Sequence, residues 1–476
     1  MHRVFQHLFF IASCAVNALH AQALEPFGLA DKTVTALYFY AAPRLLYAAT
    51  ENEGVFRRDL NADSGWVHLA TPAKHLHAIY AFHTQCPLKC WKGVLAGATR
   101  DEAAGDSALI YFYQQYPDSC QRNGAWTAAD SGIDYAAVQK INTLTGTAAC
   151  GPLWDYVTAY AGGNGFIGRS LDRGKSWQTV WQQPNAEIFT LAAHHRIIFD
   201  ILDESVWAGG YIQTGDSRSR RPLLSYSSDA GNNWEDRSPA NFPGEECRAL
   251  AVDHADTNLV FAALSTNIIK SEDGGKNWTA ASLPDLIVQL YALALNPATS
   301  RHILAGGILS GQSFLLYESF DGGENWHTVA PPTTLAGVSS IVFDPARARD
   351  TIVPQSVYIG TRGNGVYRYT FLLSHVDEAS ANAPGDFHLS PAFPNPSALQ
   401  TLSQLTLRVY APSAEEVRVR LLNTLGQEIK NWRVAVAAGE QILRLPLDQT
   451  KLKAGVYFIQ AEWRAQSVSV KWTVLP

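Results

Sequence analysis

Four acidic residues, Glu51, Asp155, Glu245 and Glu246, stand in loop-like stretches of the 476-residue chain. A pair of them could supply the acid and base that glycoside hydrolysis requires. Acidic loop residues are more often simply solvated, so the sequence assigns no catalytic residue. Two histidine pairs could bind a metal. His75-x-His77 has the spacing that puts two ligands on one strand face, but no third ligand lies nearby. His194 and His195 are adjacent, and neighbours on a strand point to opposite faces. Arg218, Arg220 and Arg221 form a cationic cluster suited to an anion. No P-loop, dinucleotide fingerprint or Gly-x-Ser-x-Gly occurs, so no cofactor is expected.

The most regular chemistry is a turn that recurs four times, spaced 44 to 57 residues apart. The copies are Ser170-Leu-Asp172-Arg-Gly174-Lys-Ser-Trp177, Ser227-Ser-Asp229-Ala-Gly231-Asn-Asn-Trp234, Ser271-Glu-Asp273-Gly-Gly275-Lys-Asn-Trp278 and Ser319-Phe-Asp321-Gly-Gly323-Glu-Asn-Trp326. An Asp carboxylate can accept from backbone N–H groups just ahead of it, and Gly supplies positive φ. The Ser hydroxyl can bond across the turn, and the Trp opens the next strand with a large face to bury. The carboxylates lack the dense oxygen spacing of a calcium loop, so the turns are read as structural and no metal is expected.

Each turn must sit between strands. Apolar runs such as Thr35–Phe39, Ala78–Phe82, Phe189–Ala192, Arg248–Val252, Tyr291–Leu295 and Ser340–Phe343 precede it, as buried inner strands would. A Gly-containing second strand, a third strand and the Trp strand complete a four-stranded unit. The chain holds about seven such units, and a repeat of this period points to a propeller. The first unit is degenerate at its turn, around Asp59 to Trp66, and the second carries insertions at 100–106 and 113–124. The seventh ends before any turn, and Glu25 to Leu29 is the spare segment that could close the ring. The predicted fold class is all-β, an about seven-bladed β-propeller over 24–373. A polar linker over 374–390 and a small C-terminal β-sandwich over 391–476 follow.

The formal net charge of −6, with no basic run, excludes a nucleic-acid partner, and the chain is read as a monomer. Residues 1–23 have the pattern of a signal peptide, with Ala21-Gln22-Ala23 as the cleavage site. Ile11-Ala12-Ser13-Cys14 is a rival lipoprotein-type site. In an exported chain Cys86, Cys90, Cys120 and Cys150 suit one or two disulfides of undetermined pairing. A zinc site at Cys86-x-x-x-Cys90 lacks a second pair. Cys247 opens an apolar strand and is expected to be a buried free thiol.

The repeated turn resembles the Asp-box (BNR) of sialidase-like and sortilin-like propellers, a family that also includes photosystem assembly factors and some endoglucanases. The resemblance implies a structural box on the side of the ring away from the ligand face. It does not extend to the sialidase active site, because no Arg-Ile-Pro occurs and His195-Arg196-Ile197-Ile198 is the nearest string. The C-terminal region resembles the type A sorting domain of the type IX (Por) secretion system. Phe393-Pro-Asn-Pro396, Asn423-Thr-Leu-Gly426, Leu452-Lys-Ala-Gly-Val-Tyr457 and Lys471 carry that resemblance, although Thr473 to Pro476 lack the usual basic ending. It implies export through the periplasm, the type IX machinery as a partner, and a secreted or outer-membrane-attached product. The expected role is a non-enzymatic module for a glycan or surface protein; a propeller glycoside hydrolase, endoglucanase-like or sialidase-like, is the alternative. The loops opposite the boxes make the expected ligand face, with Arg100, Arg218, Arg220, Arg221, Glu245, Glu246, Arg362 and Asn364 as its candidate residues.

Overall fold

The computed structural model describes residues 23–475 except 42–43, 63, 71–72, 87–88, 105, 116–123, 151–154, 199–200, 216–218, 286–287, 312, 346–353, 373–387, 390–396, 399–403, 424–426, 448–451, 454 and 465. The signal-peptide and Cys14 readings, most of the linker, Phe393–Pro396, Cys120 and Arg218 lie outside the described residues. So do the side chains of Cys86, Cys90 and Cys150.

The chain forms two compact units, and strand pairing divides the first, up to Phe371, into seven blades. Blade 1 is Val34–Ala41, Arg44–Thr50, Gly54–Asp59 and Val67–His68. Blade 2 is Leu76–Cys86, Lys89–Ala98, Ile110–Gln115 and Trp126–Ala128. Blades 3 and 4 share one continuous six-stranded ladder from Ile141–Cys150 to Glu235–Asp236. Their division falls inside Gln178–Ile198, whose first residues pair with Phe166–Arg169 and whose remainder pairs with Ile201–Gln213. Blade 5 runs from Cys247–Val252 to Thr279–Ala280, and blade 6 from Val288–Asn296 to His327–Thr328. Blade 7 is Val338–Phe343, Pro354–Thr361 and Val366–Leu372, and its fourth strand is Ala23–Gly28 from the other end of the chain. The ring therefore closes with the N-terminal strand, beginning two residues earlier than the spare segment marked in the sequence.

The four repeated turns share one hydrogen-bond pattern. In each, the Ser Oγ donates to the Asp Oδ1 and accepts from the Gly N–H, at 2.9 and 2.7 Å for Ser271. The Asp takes the backbone N–H and the side chain of the Ser or Asn two residues after the Gly, as Asn277 does on Asp273 at 2.9 and 2.6 Å. Two consecutive residues have positive φ, not the Gly alone: Gly274 and Gly275 at 71° and 82°, but Ala230 and Gly231 at 57° and 85°.

The Trp side chains divide into two groups. Trp177 and Trp278 donate Nε1–H to Ala129 O and Arg237 O, each the first residue after the outer strand of the preceding blade, at 2.8 Å. Trp126 does the same to Leu69 O at 3.1 Å, and Trp66 reaches Phe27 O on the closing strand at 2.9 Å. Trp234 and Trp326 turn back to the Gly of their own turn, at 3.0 Å. Trp177 and Trp326 are buried, while Trp234 and Trp278 are half-buried, so the four do not share one environment.

Neighbouring blades lock through a glycine. In five blades the second strand has a Gly packed on a buried residue at or near the start of the next blade's inner strand. A Cβ at Gly97, Gly162, Gly209, Gly306 or Gly360 would lie 2.4–2.8 Å from Ile141, Ile188, Cys247, Val338 or Val34. Cys247 fills the place that an aliphatic residue takes elsewhere. It is a fully buried free thiol, and burial pushes its pKa far up, a packing role for sulfur.

The second unit holds a sandwich of a three-stranded and a five-stranded sheet. Its core includes Leu405, Val409, Val419, Leu421, Ile459 and Trp472. Tyr457, one of the landmarks, is buried and ties its OH to the backbone N–H and C=O of Lys453, both at 2.9 Å.

Candidate functional site

The inner strand of every blade breaks register at the same place. The bulges fall between Val34 and Ala36, Leu76 and Ala78, Ile141 and Thr143, and Ile188 and Thr190. They continue between Cys247 and Ala249, Leu290 and Ala292, and Val338 and Ser340. The first residue of each pair is 0% exposed. The second is small, and a Leu or Ile follows it. The residue between them is half-buried in all seven blades: Thr35, His77, Asn142, Phe189, Arg248, Tyr291 and Ser339. A bulge re-aims a side chain and interrupts the ladder beside it. Here it presents seven different side chains at one mouth of the ring, the end opposite the repeated turns by the antiparallel order of the strands.

Four of these blades build a continuous stack. Arg220 lies over Tyr211, its guanidinium carbon 5.1 Å from the ring centre, and Tyr211 meets Phe189 at 5.8 Å. Arg248 covers Phe189 at 4.0 Å and reaches Tyr291 at 5.9 Å, and Arg362 covers the same Tyr291 at 4.0 Å. Beneath it, the buried Glu246 pairs with both Arg220 and Arg248. Burial pulls Arg248 below the usual arginine range, and nearby Arg220 and Arg362 add to this. Glu187 accepts from Asn142 at 2.6 Å and from Asn164 at 2.7 Å. Burial lowers the pKa of Lys140, with Glu187 opposing and Arg248 reinforcing the shift. Further round, burial first and then Lys140 and His75 hold His77 down at about 3, so it is neutral at neutral pH.

The structure thus brings Arg220, Glu246 and Arg362 to the mouth. Arg221 instead pairs with Asp236 on the outer strand at 3.0 Å. Arg100 pairs with Glu102 and stacks on Tyr135 at 4.2 Å. Asn364 accepts from the Ala336 N–H at 2.7 Å, and Glu245 takes the Thr266 N–H at 3.0 Å, so both hold loops. The sequence reading missed Arg248, Tyr291, Phe189 and Asn142 as site residues. The available signal was the seven-fold pattern apolar–variable–small–(Leu or Ile), whose second position is the one that faces the mouth.

A second chemistry-bearing cluster is sealed in the core. His302 sits 2.9 Å from Glu318 and 3.0 Å from Asn296, and Tyr369 donates to Glu318 at 2.7 Å. His302 is 1% exposed and boxed in by Phe320, Phe343 and Phe371. With no solvent path it joins blades 6 and 7 and meets no substrate. The outer groove between blades 5 and 6, lined by Phe261, Lys270, Asp273 and Gly323, is walled largely by one of the repeated turns. Among the described residues no group of His, Cys, Asp and Glu could hold a metal ion.

None of the curated proteins compared matches the chain. Among solved structures, the GH74 enzyme of Niastella koreensis is similar with a TM-score of 0.50 at 13% identity, over 95% of this chain and 75% of that one. YCF48 from Cyanidioschyzon merolae gives 0.48 at 11% identity, over 73% of this chain and 98% of its own. YCF48 bound to D1 peptide gives 0.46 at 15%, over 73% and 96%. At 13% identity the first likeness bears on the propeller fold alone. The family model described as a secretion system C-terminal sorting domain matches residues 391–475. The C-terminal part of this chain is therefore a sorting domain of the Por type, which marks the chain for export by the type IX secretion system to the cell surface or beyond.

Proposed function

We propose that the chain is an exported Asp-box propeller that binds a glycan or protein at the bulged mouth of its ring and does not hydrolyse it. The observation that carries this reading is the ring of seven bulges. Packing constrains the residues on either side of each bulge to one type, while the presented side chain differs in every blade. Ligand sites sit on such variable positions of a rigid scaffold. The carboxylates at the mouth support a binding role over hydrolysis. Both Glu246 oxygens face guanidinium groups, and both Glu187 oxygens accept amide donors, so neither is poised as the free acid of an acid–base pair. The test is a screen of the full chain on glycan arrays, surface-protein extracts and chromogenic glycosides, repeated with Tyr291→Ala. Binding lost in that variant without turnover is the expected result. Glycoside turnover abolished by a change at Glu187 or Glu246 would establish the hydrolase instead.

The domain limits belong to the same reading: a signal peptide to residue 23, the propeller to 373, and a tail that acts in export and not in binding. Deleting the chain from Phe387 onward in the native host should leave a folded propeller in the periplasm. Surface delivery equal to the full chain would refute the tail's role.

A further inference from the structure

We infer that the mouth of the ring takes an acidic oligosaccharide, a uronate chain whose carboxylates dock on the arc formed by Lys140, Arg248 and Arg362. This deepens the ligand-face reading above and rests on it. The arc holds four cations, Lys140, Arg220, Arg248 and Arg362, against two carboxylates, Glu187 and Glu246, on a chain whose formal net charge is −6. Arg362 and Lys140 make no ion pair within 4 Å among the described residues, although Glu187 lies near enough to Lys140 to act on its charge.

The stacking decides what they can bind. A guanidinium laid flat on an aromatic ring keeps its N–H edges free in its own plane. Those edges match a carboxylate in a two-pronged hydrogen bond, which an ammonium cannot reproduce. The guanidinium carbon of Arg362 lies 4.0 Å from the Tyr291 ring centre, within stacking distance, and that of Arg248 lies 4.0 Å from Phe189 with Glu246 to one side. The cations lie on blades 3, 4, 5 and 7, so the arc suits a chain of spaced anions better than a single one. Between and beyond them the bulges carry hydroxyl, amide and imidazole groups that already bond within the ring: Thr35 to Ala49 O, His77 to Thr99, Asn142 to Glu187 and Ile188 O, and Ser339 to Val34 O. Their remaining oxygen lone pairs can accept from sugar hydroxyls. Neutral His77, with Nε2 on Thr99 Oγ1 at 2.7 Å, offers its other ring nitrogen.

The experiment is calorimetric titration of the full chain with oligogalacturonate, with its methyl ester, and with poly-glutamate. Arg362→Ala and Lys140→Gln test the cations, and a thermal melt checks that both variants remain folded. Oligogalacturonate should bind, weaken with added salt, and lose about tenfold in affinity, roughly 1.4 kcal/mol, on methyl esterification and in Arg362→Ala. Arg362→Lys should not restore it. Equal binding of the methyl ester, or unchanged affinity in both variants, overturns the proposal. Tighter poly-glutamate binding lost in the same variants would make the ligand an acidic peptide and also overturn it. A neutral glycan or protein whose binding falls in Tyr291→Ala would sink the uronate assignment and leave the ligand face standing. Ligands indifferent to every mouth variant would sink both.

Discussion

At the scale of single residues, the repeated turn is a local device in which one buried hydroxyl serves two partners. Ser271 is 2% exposed, so Ser271→Ala leaves the Gly275 N–H without its acceptor inside the fold. An unsatisfied buried donor costs about 1–3 kcal/mol. Urea unfolding should show a loss in that range at unchanged denaturant sensitivity, and a change below about 0.5 kcal/mol would mean the turn does not need the hydroxyl. The carboxylates add a pH signature. The backbone N–H of Asn277, then its side chain, hold Asp273 down to about 2 from the usual 3.8. In Asp229 hydrogen bonds from Asn233 also lower the pKa. In Asp172 and Asp321 hydrogen bonds outweigh a burial effect of the opposite sign. Each lowered carboxyl contributes stability that is present above its ordinary pKa and lost as pH falls through its folded value. The urea midpoint should therefore fall between pH 4 and 2, and less steeply in Asp273→Asn. These turns were legible in the sequence because Asp, Gly and Ser act on their own backbone within four residues. The second left-handed residue was not, since Arg173 and Ala230 occupy a conformation that side chains other than Gly disfavour.

Among the elements, the blade is the unit and glycine sets how closely two blades approach. A Cβ on Gly306 would sit 2.4 Å from Val338 Cγ1. Gly306→Ala should cost about 1–3 kcal/mol by overpacking, and Val338→Ala should cost on its own by leaving a cavity. The double variant should cost less than the two together, by about 0.5–3 kcal/mol of coupling; strict additivity would show that the two residues do not share a space. The same register explains what was hidden in the sequence. Apolar runs revealed six inner strands, but the strand Ile141–Cys150, with its Thr and Gly, has no such run. The bulge also shifts the in–out alternation by one residue. Arg248 and Tyr291 therefore looked like the first residues of buried strands, when they are the residues the strand turns outward. Arg220 and Arg362 could be picked out because they stand at strand ends, Arg220 opening its strand and Arg362 just beyond Pro354–Thr361, where a charge is conspicuous.

For the whole molecule, closure is the point at which the two ends of the propeller depend on each other. Ala23–Gly28 pairs with Val366–Leu372, buries Leu24 and Phe27 to within 9% exposure, and joins Glu25 to Arg368. Without it blade 7 keeps an open edge, and such edges promote association. Removing residues 23–28 should cost at least the roughly 3–5 kcal/mol of one buried Phe and yield oligomers by size exclusion. A monomer with an unchanged urea midpoint would refute closure by that strand. The ring of bulges has a further consequence, for the history of the protein. At five of the seven sites the flanking apolar residue packs on a glycine of the neighbouring blade, while the presented Asn142 and Ser339 add a hydrogen bond each to the carbonyls of Ile188 and Val34 in the next blade. Substitutions at the presented positions leave that apolar packing in place, so descent can try new side chains one blade at a time while the ring persists. Paralogues with this core and different mouths would differ in what they recognise far more than in how they fold.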